Sequence, residues 1–203
     1  MKTFENIGIL TSISWSDNNW TSDPSDDDKK NSNYQYVKDN QFMYESLNFG
    51  NNIYPAEADG SYIGHSPMFN KIPRESIIES VKIVFFSSTN HSAGKKYIVG
   101  CYAFPIIQSQ IFRTAKHDMF EKYPYGTLKS NTENISAFAN RIEIDNDIVK
   151  IQNWLPRDKE IGTRGFNYLN SENVLSILDK AVELNPEDSR IKNIKNKLLK
   201  IHL

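Results

Sequence analysis

Val81-Lys82-Ile83-Val84-Phe85-Phe86-Ser87-Ser88, then Thr89-Asn90-His91-Ser92-Ala93-Gly94-Lys95-Lys96, then Tyr97-Ile98-Val99-Gly100-Cys101-Tyr102-Ala103-Phe104-Pro105, reads as a strand, a polar turn and a strand. Both apolar runs are rich in β-branched and aromatic residues, which suit a pleated surface, and the turn holds Asn, Ser and Gly. The runs are nearly continuous rather than alternating, so both faces of this hairpin are expected to be covered. Gly100 weakens a strand interior unless the space is needed, which points to a bulge or a crowded backbone neighbour.

At 203 residues the chain is long enough for one domain with a respectable core, or one domain and an appendage. Apolar content is a modest 38%, but 12% aromatic residues are too many for a disordered chain. A net charge of −1 removes the simple electrostatic case for non-specific nucleic-acid binding and demands a local cationic patch if a strand is bound. The single cysteine, Cys101, lies within the second core strand and reads as a small buried hydrophobe. No long apolar run is present at the N-terminus or elsewhere, so no membrane association is expected and the expected compartment is the cytoplasm.

On the N-terminal side, residues 7–16 form an expected first strand that ends in Ile13 and Trp15. Residues 17–38 are a polar loop with Ser25 poised to cap a helical turn that opens with Asp26, Asp27 and Asp28. Trp20, Tyr34 and Tyr36 stand among these solvated residues, so the rings either fold back as a lid on the core or line a cleft. Residues 41–49 fit either a short helix or a strand, and residues 60–69 an extended, Gly-punctuated stretch.

On the C-terminal side, residues 106–120 mix apolar and basic side chains, with Arg113, Lys116 and His117 close together, and read as helical. Residues 142–149 read as a short hairpin bent at Asp145-Asn146-Asp147. A helix capped by Asn170 or Ser171 carries Val174, Leu175, Leu178, Ala181 and Val182 on one face, and Asn185-Pro186 stops it. A second helix from Pro186 onward carries Ile191, Ile194, Leu198 and Ile201. The junction at residues 181–188 is similar to that of tetratricopeptide repeats, but without a second copy it reads as a helical pair packed on the main body or linking to a partner.

No HExxH, CxxC, GxSxG or phosphate-binding glycine motif is present, so no catalytic residue, metal ligand or cofactor is assigned. The acidic residues 26–28 lack the spacing of a calcium loop. Glu143 and Asp145, two apart on a strand, give only a weak acidic pair. The aromatic inventory points instead to binding, because a flipped or unpaired base is held by stacking on rings and by hydrogen bonds to its edge.

The pattern Ile83-Val84-Phe85-Phe86-Ser87-Ser88, a polar turn, then Tyr97-Ile98-Val99-Gly100-Cys101-Tyr102-Ala103 resembles the central hairpin of the PUA-like superfamily, in its EVE and YTH branches. The resemblance implies an α+β fold: a small curved or closed β-barrel over residues 1–169 with flanking helices, followed by a C-terminal helical pair over 170–203. It also implies a modified, methylated base held in an aromatic cage. The regions matching such a pocket supply Trp15, Ser16, Trp20, Tyr36, Phe86, Ser87 and Ser88 as expected base-binding residues. Lys95, Lys96, Arg113, Lys116, Arg157 and Arg164 are the expected grip on the nucleic-acid backbone. The long acidic loop after the first strand departs from the family pattern and leaves the cage membership open.

Three functions follow: a modified-base reader, acting on DNA rather than RNA, as in the targeting module of a modification-dependent restriction system of the McrB kind with a separate motor or nuclease subunit; a small metal-dependent nuclease; or a protein-interaction module.

Overall fold

A computed structural model describes residues 6–70, 78–156, 159–161 and 165–201. The chain is α+β, and its described residues include the strands β1 (Gly8–Ser12), β2 (Ser61–Gly64), β3 (Ile83–Asn90), β4 (Lys95–Ala103), β5 (Ile106–Phe112), β6 (Tyr125–Asn131), β7 (Ile135–Ile144) and β8 (Phe166–Leu169). The described α-helices are α1 (Asp26–Asn31), α2 (Gln35–Asn40), α3 (Asp118–Lys122), α4 (Asn146–Ile151), α5 (Ser171–Leu184) and α6 (Ser189–Lys200). The strands form two ladders, a five-stranded sheet in the order β7-β4-β3-β1-β8 and a three-stranded sheet in the order β2-β6-β5. Among the described residues the hydrogen-bonded ladders are two separate sheets, which do not by themselves close into the expected curved or closed barrel.

The hairpin at the centre of the sequence is also the centre of the larger sheet. β3 pairs antiparallel with β4 and parallel with β1, so it is hydrogen-bonded on both edges. Its successive residues divide between two cores: Ile83 and Phe85 join one, Val84 and Phe86 the other. Leu10 and Ile9 of β1 divide the same way. The continuous apolar runs are thus explained by a sheet covered on both sides, by α5 and α6 on one face and by the β2-β6-β5 sheet on the other.

Gly100 sits where the β3–β4 and β4–β7 registers shift. A Cβ there would run into the Ser136 carbonyl and the Phe49 ring, so the crowding expected from sequence is present. The bulge puts Ile98 and Cys101, three residues apart, on the same face. Cys101 is buried as a free thiol, and burial pushes its pKa up.

The C-terminal helices meet the sheet through one apolar face each. Val174, Ile177, Leu178 and Ala181 of α5 and Ile191, Ile194 and Leu198 of α6 are buried, and each large aliphatic contributes about 1.5–3 kcal/mol by leaving water. Asn170 caps α5 in a reciprocal pair with Asn173. Asp188 caps α6 and accepts a hydrogen bond from the Ser136 hydroxyl at 2.8 Å, tying the helix start to β7.

Three local expectations are corrected. Residues 106–120 are not a helix: Gln108, Ser109 and Gln110 lie on an exposed edge strand, β5, which pairs with β6, and the helical part is the short α3. Residues 142–149 are not a hairpin, because the Asp145 carboxylate accepts from the amides of Asp147 and Ile148 and starts α4. The last helix begins at Ser189 rather than Pro186, where Asp188 supplies the cap.

Candidate functional site

The loop after β1 decides where the rings go. Trp20 adopts a left-handed backbone, φ 57°, costly for a bulky residue. It is held there by its indole N–H, which donates to the Ser14 carbonyl at 2.9 Å, and by its own carbonyl, which accepts from the Phe49 amide at 3.0 Å. Ser25 and Asp28 form a capping box for α1, and the Asp28 carboxylate also accepts from the Asp17 amide, so the loop is folded back on itself. Tyr34 precedes α2 and donates its hydroxyl to the Ser12 carbonyl at 2.9 Å. α2 then ends at Gln41 in a left-handed turn, φ 54°, which delivers Phe42 and Tyr44 to the same side.

These turns build a recess of about 360 Å³ lined by Tyr34, Tyr36, Val37, Phe42, Tyr44, Glu45, His65, Pro67, Asn70 and Tyr125. Tyr44 is its hub. Its ring centroid lies 4.7 Å from Phe42 edge-on, 4.9 Å from Tyr125, 5.1 Å from His65 and 6.3 Å from Tyr36. Phe42 in turn stacks on Tyr123 at 4.8 Å, which seats the wall on the core. The size and the mainly aromatic lining with a few convergent polar groups are those of a small-molecule pocket.

Burial biases the ionisable groups at the recess toward their neutral forms. Burial pushes the Glu45 carboxyl above its ordinary range, against the opposing hydrogen bond that Oε1 accepts from the Ser14 amide at 2.9 Å. Burial, with the nearby Arg113 charge, lowers the His65 imidazole to a pKa of about 3. The buried His65 Nδ1 has no hydrogen-bond partner among the described residues. Its backbone is clamped by the Asn48 side chain, which donates to the His65 carbonyl at 2.8 Å and accepts from its amide at 2.7 Å. Hydrogen bonding to Tyr125, followed by burial, raises the Tyr44 hydroxyl above the usual phenol range, and burial and Tyr44 do the same for Tyr36. The site can therefore offer flat apolar faces beside polar groups that burial biases toward their neutral forms. Among the described residues no group of three or more His, Cys, Asp or Glu is placed to hold a metal ion.

The residues expected from sequence to form the cage are mostly elsewhere. Trp15 and Trp20 are 6% and 1% exposed and meet edge to face at 6.0 Å. The Arg141 guanidinium covers the Trp15 ring at 4.3 Å, and the Trp15 indole N–H donates to Asp17 at 2.6 Å. Phe86 packs against Phe49 and Tyr102. Ser16 is buried and bonded to Asn18, Ser88 donates to the Ile13 carbonyl, and Ser87 pairs with Ser12. Ser87 also borders a cavity of about 30 Å³, room for about one water. A base stacked on these rings would have to displace the core, so the expected slot is corrected. Of that set, Tyr36 lines the recess. Tyr34, Phe42, Tyr44, His65 and Tyr125 were missed as site residues. For Tyr34, Phe42 and Tyr44 the sequence signal is the density of rings at 34–44, a mostly polar segment.

The expected cationic grip is also redistributed. Lys95 pairs with Glu143 at 2.8 Å. Burial lowers Lys96 to about 8. The Arg113 guanidinium is committed inward, donating to the Tyr123 and Ile63 carbonyls and lying 4.5 Å from the Phe120 ring. Lys116 is exposed. Arg157 and Arg164 lie outside the described residues.

No protein-family model, no curated protein and no solved structure matches the chain.

Proposed function

We propose that the chain is a nucleic-acid reader that takes one flipped or unpaired base, carrying a methyl or similar small modification, into the recess around Tyr44. The observation that carries the reading is the cluster of rings at 4.7–6.3 Å around that tyrosine, beside a carboxyl and an imidazole that burial biases toward their neutral forms. A base presents two flat faces and a polar edge. Stacking on an aromatic side chain contributes about 1–3 kcal/mol per base, and an added methyl fills further apolar volume at about 0.8 kcal/mol.

Within this reading the two sheets are the parts of a small PUA-like barrel, and the ligand is DNA in preference to RNA. The chain supplies recognition, while cleavage or translocation belongs to a separate motor or nuclease subunit. A carboxyl held toward its neutral form is a poorer partner for a methylated ammonium than a carboxylate would be, which favours a neutral heterocycle over a methyl-lysine cage.

The test is a fluorescence anisotropy panel of methylated and unmodified oligonucleotides, DNA and RNA, with a trimethyl-lysine peptide as control. Preference for a methylated strand that disappears in Tyr44→Ala supports the reading. Equal, weak binding to every oligonucleotide, or binding of the peptide alone, removes it.

A further inference from the structure

β5 ends the smaller sheet: β6 pairs with one of its edges, and among the described residues no strand pairs with the other. Such an edge offers backbone donors and acceptors to any strand that arrives, so proteins normally blunt it with a lysine, a proline or a bulge. Ile106-Ile107-Gln108-Ser109-Gln110-Ile111-Phe112 has neither charge nor proline. Arg113, which follows it, is committed inward to the Tyr123 and Ile63 carbonyls. The strand does carry a bulge. Ile107 faces Leu128 and Ile111 faces Gly126, so Gln108, Ser109 and Gln110 together stand opposite Thr127 alone. Their backbone groups outnumber the partners that β6 can supply there. At the two ends of the strand, Ile106 and Phe112 are 51% and 62% exposed.

We propose that β5 is the contact through which two copies of this chain pair, antiparallel and two-fold symmetric about Ser109. The order of residues in the strand selects this occupant over an unrelated one. A two-fold contact is self-complementary, so if residue i meets residue j of the second copy, j also meets i. Antiparallel pairing centred on Ser109 sets Gln108 against Gln110 of the second copy, Ile107 against Ile111, and Ile106 against Phe112. Each pair matches: amide with amide, aliphatic with aliphatic, exposed apolar side chain with exposed apolar side chain. Directly opposed residues project from the same face of an antiparallel pair, so Ile106 and Phe112 cover one another. Centring the contact on Gln110 instead sets Phe112 against Gln108 and Ile111 against Ser109, and the match is lost. The two-fold axis stands normal to the joined sheet, which keeps equivalent faces together. The two Phe112–Tyr125 ring contacts, with centroids 6.1 Å apart at the border of each recess, therefore lie on one side of it. Pairing through β5 is independent of what the recess binds.

The experiment is sedimentation velocity over about 1–500 μM protein. It compares the wild type with a doubly basic variant, Gln108→Lys with Gln110→Lys, and a doubly acidic one, Gln108→Glu with Gln110→Glu. Both glutamines are exposed, and thermal melts verify that the variants fold. The wild type should dimerise with a dissociation constant of about 1–100 μM, since one strand pairing is smaller than a standard interface. Each variant alone opposes like charges at both symmetry-related pairs and should weaken the dimer by about tenfold. The two variants mixed set Lys against Glu in the same register and should form a heterodimer. Hydrogen exchange on the wild type needs no variant: the amides of residues 106–112 should gain protection as concentration rises.

A wild type that stays monomeric over the whole range overturns the proposal. So does a dimer that keeps its affinity in both folded variants, or one that forms without added protection at residues 106–112. Folded variants that lose the dimer singly and fail to recover it on mixing overturn the Ser109-centred register, and the proposal with it.

Discussion

Tyr44 and Tyr125 lie with ring centroids 4.9 Å apart at 33°, and the Tyr44 hydroxyl is raised in pKa chiefly by its hydrogen bond to Tyr125. The pair joins the 3-10 turn Tyr44–Leu47 to β6 through one wall of the recess.

Truncating that wall should cost binding before it costs folding. Tyr44→Ala is expected to weaken a methylated single-stranded oligonucleotide by about 1–3 kcal/mol, one stack. Tyr44→Phe keeps the ring and loses the hydroxyl contact, so it should retain most of the affinity. Anisotropy titration of the two variants side by side checks this; equal losses would place the energy in the hydroxyl instead of the ring.

Trp20 should behave in the opposite way. It is 1% exposed, touches Phe49 and Trp15, and donates to Ser14, so Trp20→Ala is expected to destabilise the fold by about 3–5 kcal/mol in urea unfolding. A stable Trp20→Ala protein that has lost oligonucleotide affinity would return the indole to the ligand site.

Two buried groups at the recess give pH slopes of opposite sign. His65 has its folded pKa depressed to about 3 from an ordinary 6.5, so the folded state binds fewer protons, and the stability this gives is present above pH 6.5 and lost as pH falls toward 3. Glu45 has its folded pKa raised above 4.5, so stability falls as pH rises from 4.5 through the folded value. Chemical denaturation from pH 3 to 8 should show Glu45→Gln, which keeps an acceptor for the Ser14 amide, losing the second slope. His65→Gln should lose the first.

Salt should matter little. Of the described residues in the expected grip, Lys95 is paired with Glu143 and Arg113 is spent inside the fold. For single strands the slope of log affinity against log salt is about −0.7 per neutralised phosphate, and a value shallower than about −1.5 is expected. A steep slope, measured by titration between 50 and 300 mM salt on the order of that range, would point to a cationic surface beyond the groups described.

The sequence made the β3–β4 hairpin, the crowding at Gly100 and the capped α5 readable because each is a local signal: continuous β-branched runs, a mid-strand glycine, an Asn before an amphipathic stretch. β5 was misread because Gln108, Ser109 and Gln110 blur the alternation of an edge strand. The recess was invisible for a different reason. Tyr36, Phe42 and Tyr44 are near one another in sequence, but His65 and Tyr125 arrive through pairing of β2 with β6. Trp15 and Trp20 were expected in the cage, although a lid folded back on the core fitted the same polar neighbours; the left-handed backbone at Trp20 turns that loop inward.

Sharing one core between the five-stranded sheet and the helices α5 and α6 sets how the chain can be dissected. Cutting after Leu169 would strip the cover from Leu10, Phe85 and Cys101 and present a greasy slab to solvent, inviting aggregation instead of yielding a smaller folded unit. A minimal fragment for crystallisation or fusion must therefore keep residues 170–200, and tags belong beyond them.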